Sequence, residues 1–220
     1  MPNHVLNKLE IIGQQNEIKE VIESLCSKKD KTILLDFNQI IPMPEELNIT
    51  SNSWFDPLEE NYYKKDMKIH ISNFKEYISS YKEEAREIEI NNFLQGIKNF
   101  INYGYTDWYK WAVENWGTKW NAYEIEIKDN IISFETAWSS PKKIFKALSV
   151  KFPNLFFNVF YADEDTGSNC GKEKFYNGEI IESFYPKSQS KEAYELAFKL
   201  RPYKKEFYKL VNDNYEYIEE

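Results

Sequence analysis

Two dipeptides, Asp129-Asn130 and Asn177-Gly178, constrain this chain more than any other feature. Each separates two short stretches in which apolar and polar residues alternate: residues 123–128 from 131–136, and residues 172–176 from 179–185. Two-residue loops of this kind close β-hairpins, because Asn, Asp and Gly accept the positive φ that the favoured turns need. Two tight hairpins put an antiparallel sheet at the centre of the fold.

The remaining segments supply its partners. Residues 5–13 (VLNKLEIIG) alternate and end on a glycine, as a half-buried strand does. Ile18, Val21, Ile22 and Leu25 then recur at helical spacing, and residues 33–37 form a second short apolar run, which reads as a β-α-β opening. Pro42 and Pro44 break it. Residues 48–68 are polar, aromatic and irregular. Residues 72–103 carry apolar side chains every three or four positions, predicting one or two amphipathic helices with Ser72 as N-cap and Gly104 as the stop. A shorter helix over 106–115 takes Thr106 as its cap. Pro141 starts another that runs to 151, residues 155–162 alternate as a strand, and the tail 190–218 reads as helical with a break at Pro202.

This order gives an α+β protein: a ferredoxin-like antiparallel sheet with helices on one face, a helical insertion and C-terminal helices. The boundaries that follow are a core over 1–188 with the insertion at about 48–104, and a C-terminal extension over 189–220.

Chemistry is harder to find. His4 and His70 have no spaced partners, so no metal site is expected, and His4 reads as a strand-edge residue. Phosphate-binding glycine motifs and nucleophile elbows are missing, and no cofactor is expected. Cys26 and Cys170 cannot build a disulfide framework and read as reduced thiols of a cytoplasmic protein. Cys170, between glycines in a turn, has no histidine predicted near it. No apolar run is long enough to cross a membrane, so no membrane partner is expected. The net charge of −8 disfavours nucleic acid, whose binding depends on clustered Lys and Arg.

The most unusual segment is DWYKWAVENWGTKWN, with Trp108, Trp111, Trp116 and Trp120 in thirteen positions and Trp138 following in ETAWSSP. Indoles at this density read first as a helix–sheet seam, because their bulk fills a layer while the N–H finds a carbonyl. The sharper reading is a pocket or interaction surface made by Asp107, Trp111, Glu114, Asn115, Trp116, Lys119, Trp120 and Trp138. Asp36, in an apolar strand, reads as the cap of the loop that follows. Asp163, Glu164 and Asp165 read as a solvated turn, since they do not complete a calcium loop.

Four stretches carry a resemblance: FNQIIPMPEEL (37–47), WAVENWGTKWNA (111–122), FETAWSSP (134–141) and FPNLFFNVFYADEDTG (152–167). In order and spacing they resemble the YubB-like family of bacteriophage and plasmid proteins, described as carrying a ferredoxin-like domain. The chain departs from that pattern in the insertion, in His4-Val5 where a Trp-Cys pair is common, and in a longer C-terminus. The family has no assigned chemistry, so the resemblance implies a setting rather than a reaction. In that setting the chain is expected to be a non-enzymatic interaction protein that binds a host protein, with counter-defence of the anti-CRISPR type as the most specific form. Glu83, Glu84 and Glu87 of the insertion are the expected contact face. The alternatives are a small-molecule or nucleotide site at the tryptophans, and a single-stranded nucleic-acid surface on the sheet.

Overall fold

The computed structural model describes residues 3–29, 32–51 and 74–218. Contacts divide the chain into two units, Met1–Pro42 with Val113–Glu220, and Met43–Ala112.

The larger unit is built on a six-stranded sheet. Its strands are β1 (His4–Ile12), β4 (Tyr123–Lys128), β5 (Ile131–Ala137), β6 (Phe156–Asp163), β7 (Cys170–Tyr176) and β8 (Glu179–Phe184), in the order β4-β5-β1-β6-β7-β8 and antiparallel throughout. The four strands β4, β5, β1 and β6 with helices α1 (Gln15–Leu25) and α4 (Lys142–Lys151) form the split β-α-β arrangement of a ferredoxin-like fold. Strands β7 and β8 extend it past β6. Both expected hairpins are present, with positive φ at Asp129 (53°), Asn177 (44°) and Gly178 (81°).

Alternation along β1 decides which face is inside. Val5, Asn7, Leu9 and Ile11 are buried, and the cross-strand partners of the last three bring Phe134, Ile132, Val159 and Phe157 to the same face. α1 contributes Ile18, Val21 and Leu25 to the core, and α4 contributes Ile144, Phe145 and Leu148. Phe134 and Phe145 rings lie 6.2 Å apart, and Phe145 and Phe175 rings 5.7 Å apart. The opposite face is covered at one end by α5 (Lys191–Leu200), whose Ala193, Leu196 and Ala197 pack on Ala162 and Cys170.

Three local expectations changed. The strand after α1 does not join the main sheet: β3 (Thr32–Leu35) pairs with β2 (Cys26–Lys29) as a separate ribbon, and β4 takes the split position. The tail past Pro202 is a 3-10 turn and then a hairpin, β9 (Tyr208–Val211) with β10 (Asn214–Tyr217). Asn212 and Asp213, both at positive φ, make its turn, and Tyr208 and Tyr215 pack on Tyr194 and Phe198 of α5. Cys170 begins β7 instead of lying in a turn, with only 6% of its surface exposed.

The smaller unit contains a helical stretch over residues 74–79 and the 21-residue α2 (Glu83–Tyr103). Phe74, Ile78 and Phe93 form its core, with Phe74 and Phe93 rings stacked at 4.0 Å. Arg86 closes the first stretch by donating to the carbonyls of Ile78, Ser79 and Tyr81. Gly104 ends α2 in the left-handed conformation, as its sequence position suggested. Buried Asn99 ties α2 to the chain on either side, donating to the carbonyls of Glu46 and Thr106. Ser72 and His70 lie outside the described residues, as does most of the stretch 48–68.

Burial also sets a pH limit. It pushes the thiols of Cys26 and Cys170 up to about 11, and burial with the nearby Glu135 and Glu164 carboxylates pushes Tyr123 up to about 12. These groups hold their protons more tightly folded than unfolded, so stability is complete below about pH 9 and falls as pH rises toward 11. A urea midpoint that stays flat from pH 8 to 11 would refute this. Cys170→Ala should flatten the decline.

Candidate functional site

The tryptophan segment spans the two units. In the smaller unit, Asp107 and Trp111 are buried. The Asp107 carboxylate accepts the Tyr109 amide at 2.8 Å and so caps α3 (Trp108–Asn115), a role the sequence suggested for Thr106, whose side chain is itself buried. Glu114 is exposed and Asn115 half-buried at the other end of α3. Trp116 belongs to the core of the larger unit. Its indole N–H donates to the Ile41 carbonyl at 2.8 Å, and its ring meets Phe37 edge-on at 5.8 Å. Asn121 braces the same region, donating to Asp36 at 2.7 Å and accepting the Phe37 amide at 3.0 Å. Burial raises the Asp36 carboxyl, but hydrogen bonds from Asn38, Asn121 and Gln39 outweigh it and leave the group below its ordinary value. Asp36 is therefore a cap, as its context suggested.

Lys119, Trp120 and Trp138 do come together. The Lys119 ammonium lies 4.9 Å from the Trp120 ring and 4.7 Å from the Trp138 ring. Trp138 is 39% exposed and sits at φ +73°, a left-handed conformation that costs a bulky residue about 1–2 kcal/mol. Several short bonds hold it there. Its amide donates to the Asn3 carbonyl and its carbonyl accepts from Asn169, both at 2.9 Å. The neighbouring Ala137 carbonyl accepts from Thr118 at 2.8 Å, the Ser139 carbonyl accepts from Thr136 at 2.9 Å, and Ser139 donates to the Gly117 carbonyl at 2.6 Å.

Two polar groupings were not legible as such. At one end of the sheet His4 Nδ1 shares a 2.7 Å hydrogen bond with the Tyr123 hydroxyl and lies 3.5 Å from Glu135. Glu135 also accepts Arg201 at 3.0 Å, which anchors the C-terminal extension. On the helical face Glu173 is fully buried and is met by Lys142 and the Tyr185 hydroxyl. Burial lowers the Lys142 ammonium, but Glu173 and the neighbouring tyrosines more than offset it, so Lys142 stays charged and is no nucleophile. The inward position of Glu173 in an alternating strand was its one sequence signal. Asp163 binds Asn3, Asn169 and the Asp165 amide, which makes 163–169 a self-braced turn.

The open part of the sheet carries Phe156 stacked on Tyr176 at 4.6 Å, with Lys174 over Phe156 and Lys172 over Phe160. Lys174 also pairs with Glu182 at 3.0 Å, and elsewhere on the sheet Lys8 and Lys128 share a cleft of about 250 Å³ with Glu126 and Asp129. In the smaller unit Glu83, Glu84 and Glu87 are all exposed on the first turns of α2. Among the described residues no group of His, Cys, Asp or Glu is placed to hold a metal ion, and no helix is long and apolar enough to cross a membrane.

The sheet order, its register and the two helices on one face define an α+β ferredoxin-like domain. Residues 115–202, from the end of α3 to just past α5, match the family model described as the ferredoxin-like domain in Api92-like protein, so a domain of that kind is present over this span. A solved structure with a similar chain path is that of a protein api92 from Yersinia pseudotuberculosis, at 11% identity and a TM-score of 0.43, covering 85% of this chain and 99% of that one. No curated protein matches the chain.

Proposed function

We propose that this chain is a non-enzymatic interaction protein that binds a host protein through the exposed side of α2. The observation that carries this reading is the composition of that side. Ile88, Leu94 and Ile101 are 68%, 50% and 61% exposed, beyond an acidic first turn and a half formed by Glu83, Glu84 and Glu87. Glu87, Leu94 and Ile101 follow at seven-residue spacing and so share one stripe along a helix of about 31 Å. A helix that presents apolar anchors beside acidic ones suits a groove with an apolar floor and a basic rim. The resemblance to YubB-like proteins adds the setting: a phage or plasmid product acting in the bacterial cytoplasm, with counter-defence as its purpose.

The test is capture of a host protein from nuclease-treated lysate, followed by affinity measurement with the purified partner. Replacing Glu83, Glu84 and Glu87 together by Gln should weaken binding at least tenfold and flatten its salt dependence, with the melting temperature little changed because all three are exposed. Unchanged affinity would place the contact elsewhere and end this reading of α2.

A further inference from the structure

We infer that the exposed side of α2 docks on a second copy of this chain, at the surface where α4 runs beside β8. The inference rests on the reading of α2 as a contact face and names what covers that face when no host protein is bound. α4 carries Lys142, Lys143, Lys146 and Lys151 and no acidic residue, although the chain as a whole has a net charge of −8. On its outer side Val150 is 58% exposed, flanked by exposed Lys146 and Lys151. The end of α4 sits on the turn of the second hairpin: Ser149 Oγ accepts the Gly178 amide at 2.9 Å, and a Cβ on Gly178 would lie 2.8 Å from Val150. From that turn the edge strand β8 leads on with Ile180 and Ile181, 42% and 46% exposed. These residues make an apolar strip with a basic rim, the complement of an acidic and apolar helix.

The cations of this rim are open to a new partner. Lys146 meets Glu179 at 3.8 Å with both side chains more than half exposed, a solvated pair that an incoming carboxylate replaces at little cost. Lys151 lies 5.8 Å from the ring of its neighbour Phe152 and, among the described residues, pairs with no carboxylate. Glu182, the other acid of β8, is engaged by Lys174. α2 presents the matching pattern. Glu84 and Ile88 stand four residues apart, about 6 Å along their helix, and so do Lys146 and Val150. Laid side by side in the same direction, the two helices set Glu84 against Lys146 and Ile88 against Val150 at once. Exposed Glu83 and Glu87 beside Glu84 extend the same complementarity. A second copy is favoured as the occupant because every molecule carries both halves of the contact, and a host protein must then displace it from α2.

The experiment is sedimentation of the purified full chain at low salt, from micromolar to submillimolar concentration. The average mass should rise with concentration, and the rise should shrink as salt screens the contact. Two charge reversals test the surfaces separately: Glu83→Lys, Glu84→Lys and Glu87→Lys together, and Lys146→Glu with Lys151→Glu. Each should weaken association by about tenfold or more with the melting temperature little changed, since all five residues are exposed. Mixing the two variants should restore association, because each then meets a surface of opposite charge. The lysine variant keeps α2 intact, so it should capture the host protein at least as well as the parent; self-association without any host capture would end the host reading and leave this one standing. Three results would overturn the proposal: a parent that stays monomeric at submillimolar concentration, association that survives either reversal, or a mixture of the variants that remains monomeric.

Discussion

Phe134→Ala should destabilise the larger unit by about 3–5 kcal/mol, the usual cost of removing a buried ring from a core that cannot collapse around the gap. Phe134 is 1% exposed on the inner face of β5, with Phe37 at 6.1 Å and Phe145 at 6.2 Å between ring centres. Through those neighbours it touches the loop braced by Trp116 and the helix α4 at once. Urea denaturation of the variant measures the effect directly. A loss below about 1 kcal/mol would mean that the aromatic chain from Phe37 to Phe175 is not continuous core.

Gly167→Ala should cost about 2–3 kcal/mol, and the loss should appear first in the C-terminal extension. Gly167 has φ +86°, and a Cβ there would lie 2.9 Å from the Tyr194 ring. That ring cannot give way easily, since Phe198, Tyr208 and Tyr215 surround it and its hydroxyl is bound to Gln189. Gly104→Ala is the control. Its φ of +78° carries the same backbone penalty, but among the described residues nothing lies within 4 Å of the added carbon, so about 1 kcal/mol is expected. Equal losses at the two positions would show that Tyr194 moves freely, and limited proteolysis past Ser190 would then find the extension no more open in Gly167→Ala than in the parent.

The parts of the fold that were legible are those governed by neighbours in sequence. Asp129-Asn130 and Asn177-Gly178 announce their turns because positive φ is a property of the residues themselves, and Gly104 announces its helix end for the same reason. Asn212-Asp213 carried a similar signal, but spaced tyrosines around it also satisfy a helical period, and only the packing of Tyr208 and Tyr215 on α5 separates the two. What could not be read depends on distant partners. Trp116 and Trp138 are the same residue type in neighbouring motifs, yet one is core because the Ile41 carbonyl waits for its N–H, and the other is exposed because Asn3 and Asn169 hold its backbone in the left-handed region. Similarly, an alternating strand says that Glu173 points inward, but not that Lys142 and Tyr185 come to meet it.

The strand order has a consequence for how the protein is made. β1 is the central strand of the ferredoxin-like core, pairing with β5 on one side and β6 on the other, and its partners run from Ile131 to Asp163. With translation at about 5–20 residues per second, the first segment of the core emerges from the ribosome on the order of 5–25 seconds before its first neighbour, β5, exists. Through that interval an apolar strand must stay unpaired while α1 and the whole of Met43–Ala112, a unit with its own core, are synthesised and free to form first. The insertion thus lengthens the wait of β1 for its first partner, and a host with few chaperones engaged on nascent chains should yield less of this protein than one with many.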